Sequence, residues 1–527
     1  MAAKKRALLS VSDKRFVTNL ARDLVKLGFE LVSTGGTYKK LKEAKIPCKE
    51  LSRLIKSPEL LGGRVKTLHT HVHAGILADR DVPAHVKELE REGIQPFDLV
   101  VVNFYPFSEK VKAGMAPSAA VEWIDIGGPT MVRAAAKNFK HVGVVTNIEQ
   151  YREVLHHLRE HGTLLPQFRI QLARDAFIMV AQYDAAVAKY FEETAPASAQ
   201  VAEAPKKHAD ILPAQMTLQL KMTEKLRYGE NPHQQAARYN VSGMPSVHFK
   251  VLQGKEMSYN NYLDAGAALS IVSADYPRPV VACVVKHLNP CGIAVGENPV
   301  KVFIQAREAD PTSAFGGIVG LNCKVDIALA TELRKTFFEI VVAPSFEPAA
   351  RELLATKINL RLIQADPLEC REARLHAPRL NAMPFGILLE GQDITQETWE
   401  QLQVVTNVAP PEKLKEDILL GLTYIRFLKS NSLCVVKDSV MVGAGMGQTS
   451  RVKATEIALE AADKRAPGAV LVSDGFFPFS DSIELAAKAK IACVVAPAGS
   501  KRDMEVVAAA NKLKLPLIFA PLRHFLH

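Results

Sequence analysis

Short apolar runs alternate with helically spaced ones along the first part of the chain. Ala7–Val11 reads as a strand, and Phe16 to Leu27 carries helical spacing that stops at Gly28. Phe29–Val32 reads as a second strand, followed by Ser33–Thr37 (STGGT), a turn opening onto a helix. Leu99–Val102 and His141–Val145 supply two further strands. This rhythm predicts a parallel sheet with helices on both faces, whose ligands sit at the carboxyl ends of the strands. Between Thr194 and Pro213 the periodicity fades into an Ala- and Pro-rich stretch, the composition of an extended linker. The second part again mixes strands and helices. Val280–Val285 and Val470–Ser473 read as buried strands, each followed by a polar or glycine-containing turn, a hint of duplication without a fixed-period repeat. The expected division is 1–196, a linker over 197–214, and 215–527.

Composition narrows the class. The chain has 527 residues, 48% apolar and 23% charged, which excludes a mostly disordered chain, a collagen-like fibre or a coiled coil. No apolar run approaches the ~20 residues of a membrane span, and the opening MAAKKRALLSVSDK lacks a signal-peptide core. No membrane association is expected. The net charge of +10 suits anionic partners, but its scatter favours small phosphorylated or carboxylated ligands over nucleic acid. Seven cysteines without C-x-x-C spacing point to a reducing, cytoplasmic setting rather than a disulfide framework or zinc ribbon.

Three loops of the first part look built for an anion: Ser12-Asp13-Lys14, Thr34-Gly35-Gly36-Thr37, and Gly62-Gly63-Arg64-Val65-Lys66-Thr67. Glycines let backbone N–H groups approach a phosphate, and a helix N-terminus adds partial positive charge. No Walker loop is present. Asp125, in Asp125-Ile126-Gly127-Gly128-Pro129-Thr130, is placed to cap the helix that carries Lys137. Tyr105 ends a buried strand. His69, His71 and His73 could line one strand face, yet only Asp79 is near to complete a metal site, and no metal is expected.

In the second part, Lys286-His287 follows a strand and precedes the turn Leu288-Asn289-Pro290-Cys291-Gly292. A histidine there is placed for proton transfer, and the neighbouring ammonium disfavours its protonated form. Zinc deamination is rejected, because H-x-E and P-C-x-x-C are missing. Arg227–His233 is a polar loop. The glycines of Phe315-Gly316-Gly317 and Gly443–Gln448 mark either approach to a ligand or tight turns. Phe476–Asp481 sets aromatics beside a carboxylate, which suits a flat ring as well as a core.

Together SVSDK, STGGT, GGRVKTLH, NFYPF, IDIGGPT, RAAAKN, LRYGENPHQ, VVKHLNPCG, DPTSAFGG, GAGMGQTSR and SDGFFPFSD resemble the bifunctional AICAR transformylase/IMP cyclohydrolase family, nearly end to end. The resemblance implies a methylglyoxal-synthase-like first domain with a parallel sheet and a second domain of two cytidine-deaminase-like subdomains. It implies formyl transfer from 10-formyltetrahydrofolate to AICAR, giving FAICAR, and then dehydrative ring closure to IMP. It also implies a homodimer with the transformylase sites at the subunit interface. No catalytic metal is implied, and a structural monovalent cation is left open.

The family's catalytic roles fall on His287 as base, Lys286 as transition-state stabiliser and Asn431 as orienting group. For cyclisation they fall on Lys66, Tyr105, Asp125 and Lys137. Nucleotide contacts in the first domain fall on Ser12, Asp13, Lys14, Thr34, Gly35, Gly36, Thr37, Arg64, Val65, Thr67, Val102, Asn103 and Ile126. AICAR contacts in the second fall on Arg227, Tyr228, Gly316, Glu339, Phe476 and Arg523. Folate-side contacts fall on Arg451, Val452, Asp481, Ser500 and Lys501. The chain departs from the family pattern at Phe139, at Met179 within 175–184, at Phe385-Gly386-Ile387-Leu388, and at Ala498 before Gly499-Ser500. These departures raise the alternative of a weak cyclohydrolase beside an intact transformylase. A nucleic-acid-binding protein and a silent nucleotide sensor are the alternatives from other classes.

Overall fold

The computed structural model describes residues 4–55, 61, 64–105, 107–111, 115–194, 216–241 and 244–527. The chain divides into two compact units at Lys206/Lys207. The expected linker at 197–214 lies outside the described residues.

The first unit holds a five-stranded sheet in the order β3-β2-β1-β4-β5, with every neighbour parallel. Its strands are β1 (Arg6–Val11), β2 (Glu30–Ser33), β3 (Lys49–Glu50), β4 (Leu99–Asn103) and β5 (Gly143–Val145). β1 and β4 are almost wholly buried, as runs covered on both faces must be. The helix Val17–Lys26 buries Val17, Leu20, Ala21 and Leu24, one face at helical spacing. The strand-face arrangement considered for the histidines is not what the chain adopts. Thr70–Leu77 is a helix, and His69 caps it by accepting from His71 N–H at 3.1 Å. The three histidines therefore share no strand face, and Asp79 pairs with His141 at 2.8 Å instead.

The second unit is built on a twelve-stranded sheet, β16-β21-β20-β19-β17-β18-β10-β9-β11-β12-β13-β8. One half runs β9 (Val280–Lys286), β10 (Asn289–Gly296), β11 (Gly317–Leu321), β12 (Phe338–Ala343) and β13 (Arg361–Ala365), edged by β8 (Phe249–Gln253). The other runs β17 (Leu433–Lys437), β18 (Val440–Gly445), β19 (Val470–Ser473), β20 (Cys493–Pro497) and β21 (Leu517–Ala520), edged by β16 (Gln403–Val404). Each half follows one plan: a helix, a two-residue hairpin, then three mutually parallel strands joined through helices. β10 and β18 join the halves antiparallel, at Ala294↔Val440. The duplication hinted at by the sequence is thus present as topology.

Two hairpins stand off this sheet, β6–β7 (Leu220–Leu226, Ala236–Val241) and β14–β15 (Arg379–Met383, Gly386–Glu390). The glycines of Gly443–Gln448 serve neither a turn nor a ligand at their start. Gly443 and Gly445 lie within β18, where a Cβ would fall 2.3 and 2.0 Å from the carbonyl oxygens of Ala458 and Ala454. They let the following helix, Arg451–Ala462, press its backbone against the strand.

Candidate active sites

Because the first sheet is parallel, the carboxyl ends of β1, β2 and β4 lie together. Ser12, Asp13 and Lys14 follow β1, Thr34 follows β2, and Asn103 ends β4. Asn103 Oδ1 accepts from the N–H groups of Ser12 and Asp13 at 2.7 and 2.9 Å, tying two strand ends together. Thr37 Oγ1 accepts from Val11 N–H and donates to its carbonyl, both at 3.0 Å, which anchors the helix Gly35–Glu43 to β1. Thr34 makes no side-chain cap on that helix, which leaves the N–H groups of its first turn without a side-chain acceptor from Thr34. A Cβ on Gly36 would stand 3.3 Å from Lys14 Cε, so glycine lets the lysine lie over the helix start.

A second helix, Gly127–Lys137, begins at the same end. Its glycines admit close neighbours: a Cβ on Gly127 would meet Thr67 Oγ1 at 2.4 Å, and one on Gly128 would meet Asp125 Oδ2 at 2.7 Å. Asp125 Oδ1 accepts from Gly128 N–H at 2.8 Å, and Tyr183 accepts from the Asp125 N–H at 2.6 Å. Burial holds the Asp125 carboxyl above the ordinary carboxylate range, against the pull of the Gly128 N–H. A raised carboxyl beside a phosphate cradle suits proton transfer.

Lys66, Tyr105 and Ile126 are exposed, Val102 is buried in β4, and Arg64 pairs with Glu122. Gly62 and Gly63 lie outside the described residues. Lys137 stands apart. It is the last residue of its helix, ten residues or ~15 Å along the axis from Gly127. The next residue, Asn138, donates to the carbonyls of Ile76 and Ala78 at the opposite end of the sheet. Phe139 shares that far end.

In the second unit the strand directions bring the expected residues to one sheet end. β9 ends there with Lys286-His287, and β11 and β12 begin there beside Gly316 and Glu339. β17 begins there after Asn431, and β18 ends there before Arg451 and Val452. β19, β20 and β21 end there before Phe476 and Asp481, Ser500 and Lys501, and Arg523.

Two clusters form along this row. In one, His287 is exposed on the hairpin turn and Lys286 Nζ donates to Phe315 O at 2.9 Å. In the other, Arg451 pairs with Asp474, which is fully buried, and donates to Asn431 Oδ1 at 2.8 Å. Asn431 Nδ2 donates to Gln448 O at 2.9 Å, so both ends of its amide are fixed. Ser500 N–H is held by Asp503 at 3.1 Å, and the exposed Phe479 ring lies under Arg502 at 4.8 Å. Arg227 stacks on Tyr228 at 4.7 Å in the connection from β6 to β7. Sequence reading missed Asp264, Asp474 and Tyr183, which support these groups from behind. One signal existed: Asp264 is the single charged residue in Tyr259–Val272.

A parallel-sheet unit with two helix starts gathered at its strand ends, followed in the chain by a duplicated sheet presenting a hairpin histidine, has the make-up of an enzyme. The comparisons specify it. The family model for the AICARFT/IMPCHase bienzyme matches residues 135–461, and that for the MGS-like domain matches 17–130. The "Bifunctional purine biosynthesis protein PurH" of Clostridium perfringens is 42% identical over 526 residues, 99% of this chain and 100% of that one. The protein of the same name from Synechococcus elongatus is 44% identical over 528 residues, 99% of each. The chain belongs to the AICARFT/IMPCHase bienzyme family. It is a bifunctional transformylase and cyclohydrolase of purine biosynthesis, catalysing the last two steps of IMP synthesis with a folate co-substrate.

Proposed function

We propose that the two reactions run at two separate sites, one in each compact unit, and that the transformylase site is completed by a second copy of the chain. In the second unit His287 takes the proton from the AICAR amine as it attacks, Lys286 stabilises the developing charge, and Asn431 orients the reacting groups. 10-Formyltetrahydrofolate supplies the formyl group. Phe479 and Asp481, with Ser500 and Lys501, fit it: an exposed aromatic for a flat ring, a carboxylate for its edge, a lysine for an acidic tail. Arg227 and Tyr228 complete the AICAR contacts.

In the first unit the cradle from Ser12 to Lys14 and from Thr34 to Thr37 holds the phosphate of FAICAR. Asp125, with Lys66 and Tyr105, moves the protons as the ring closes to IMP, and proximity supplies much of the rate. Lys137, at the far end of its helix, lies outside this cradle. The free thiols of all seven cysteines suit a cytoplasmic location.

The observation that carries the second copy is the width of the row. From β12, with Glu339, to β21, with Arg523, the sheet crosses eight strand spacings, ~38 Å at about 4.8 Å each. One AICAR molecule cannot touch both ends, whereas two copies can set one half against the other. The exposed apolar hairpin β14–β15, with Phe385 81% and Ile387 61% accessible, suits such an interface. Mixing His287→Ala and Asn431→Ala chains tests it. Half the dimers would be mixed, each with one intact site, so about a quarter of wild-type transformylase activity returns. Activity no higher than the sum of the parents contradicts the shared site.

A further inference from the structure

The turn that presents His287 is unusual in its residues. His287 and Leu288 both adopt left-handed backbone, at φ 54° and 66°, which a two-residue hairpin requires. Asparagine and glycine usually fill such positions, because other side chains meet steric cost there. The turn is held from behind. Asp264, on the helix Tyr259–Val272 that precedes β9, accepts from Leu288 N–H at 2.7 Å and is 8% exposed. His287 itself remains exposed on the other side of the turn.

The second half repeats the device without the histidine. Asp438 and Ser439 form the hairpin turn between β17 and β18 at φ 52° and 65°. Asp417, on the helix Lys415–Ile425 and 7% exposed, accepts from both their N–H groups at 3.0 and 2.7 Å. Even the lysine before each turn matches: Lys437 Nζ donates to Pro467 O at 2.8 Å, as Lys286 does to Phe315 O. The strand directions put the second turn at the opposite end of the sheet from the first. A buried aspartate behind a left-handed hairpin is thus a part of the duplicated fold, and in the first half alone its turn bears a reactive ring.

We infer that Asp264 is a positioning residue for formyl transfer: by fixing the Leu288 peptide it sets the direction in which the His287 ring projects. This rests on the reading of His287 as the base. Asp417 is the matching control, since it makes the same kind of bond at a turn without chemistry.

The test compares Asp264→Ala, Asp264→Asn and Asp417→Ala as full chains, reading kcat and KM for AICAR together with thermal midpoints. Asp264→Ala should lower the transformylase kcat by about 10- to 100-fold, the cost of a misplaced group, with KM within about threefold. Asp264→Asn keeps an acceptor oxygen and should recover kcat to within about threefold of wild type. Asp417→Ala should lose thermal stability while holding kcat within about threefold. If Asp264→Ala does not accumulate folded, Asp264→Ser, whose hydroxyl falls short of the peptide, carries the same expectation. Placed on His287→Ala, the Asp264 change should add less than about threefold, as groups acting as a unit do.

Three results overturn the inference: kcat losses at Asp264 and Asp417 that track stability alike, an unchanged kcat in Asp264→Ala (or in its serine stand-in), or Asp264→Asn as slow as Asp264→Ala. An active His287→Ala would sink the reading of the base itself. An inactive one beside an active Asp264→Ala would sink only the positioning role.

Discussion

His524 shows how a residue that makes no proposed substrate contact ties the candidate site together. Its ring lies between Asp393 Oδ2 at 2.7 Å and Glu397 Oε1 at 3.0 Å, and the backbone N–H of His524 donates to Asp474 O at 3.0 Å. That pins the tail carrying Arg523 to the aspartate that holds Arg451. Burial pulls the imidazole pKa down, but the two carboxylates outweigh it and raise it from 6.5 to about 9. A raised histidine stabilises the fold fully below its unfolded pKa and ceases to do so as pH climbs through the folded one. The shift corresponds to on the order of 3 kcal/mol. Urea unfolding of the second unit should therefore lose about that much more between pH 6.5 and 10 in wild type than in His524→Gln. Parallel pH profiles would contradict the pairing. At this scale the sequence displayed the candidate site residues, because they interrupt apolar runs at strand ends. It concealed their supports. Asp264 lies 24 positions from Leu288 and Asp474 lies 23 from Arg451, and no local pattern records such pairings.

Among elements, the strand–helix contact behind each hairpin is the most exacting. A Cβ on Gly292 of β10 would fall 2.1 Å from Ala306 O, and one on Gly445 of β18 would fall 2.0 Å from Ala454 O. Both neighbours are helix backbone and cannot swing aside. Gly292→Ala and Gly445→Ala should each cost about 1–3 kcal/mol or more, as overpacking does, read from the urea midpoint at constant m-value. A cost below about 0.5 kcal/mol would mean that the helix is free to withdraw. Strand and helix existence was legible from apolar runs in the first unit, with Phe16 to Leu27 against the observed Val17–Lys26. The histidine triplet is compatible with a strand on pattern alone, because alternation over six residues does not reveal that His69 caps a helix. The glycines of β18 resembled a turn because their partner helix is invisible to a single-strand pattern.

At the scale of the whole molecule, duplication places every second-unit strand end named above at one end of one sheet, yet spreads them across its width. Motif order along the chain indicated the residues, and only strand direction shows that they share an end. The inverted halves explain it: the first sends the starts of its three parallel strands β11–β13 to that end, the second sends the ends of β19–β21. The net charge of +10 belongs to this scale too, as a general attraction for phosphorylated substrates. Under the proposed division into separate sites in separate units, each reaction can be lost alone. The direct measurement incubates wild type, His287→Ala and Asp125→Asn with AICAR and 10-formyltetrahydrofolate and resolves the products by mass. Wild type should yield IMP without build-up of FAICAR. Asp125→Asn should accumulate FAICAR, and His287→Ala should leave AICAR untouched while still closing supplied FAICAR to IMP. FAICAR formed by His287→Ala, or IMP formed at the wild-type rate by Asp125→Asn, would contradict the assignment of the two sites.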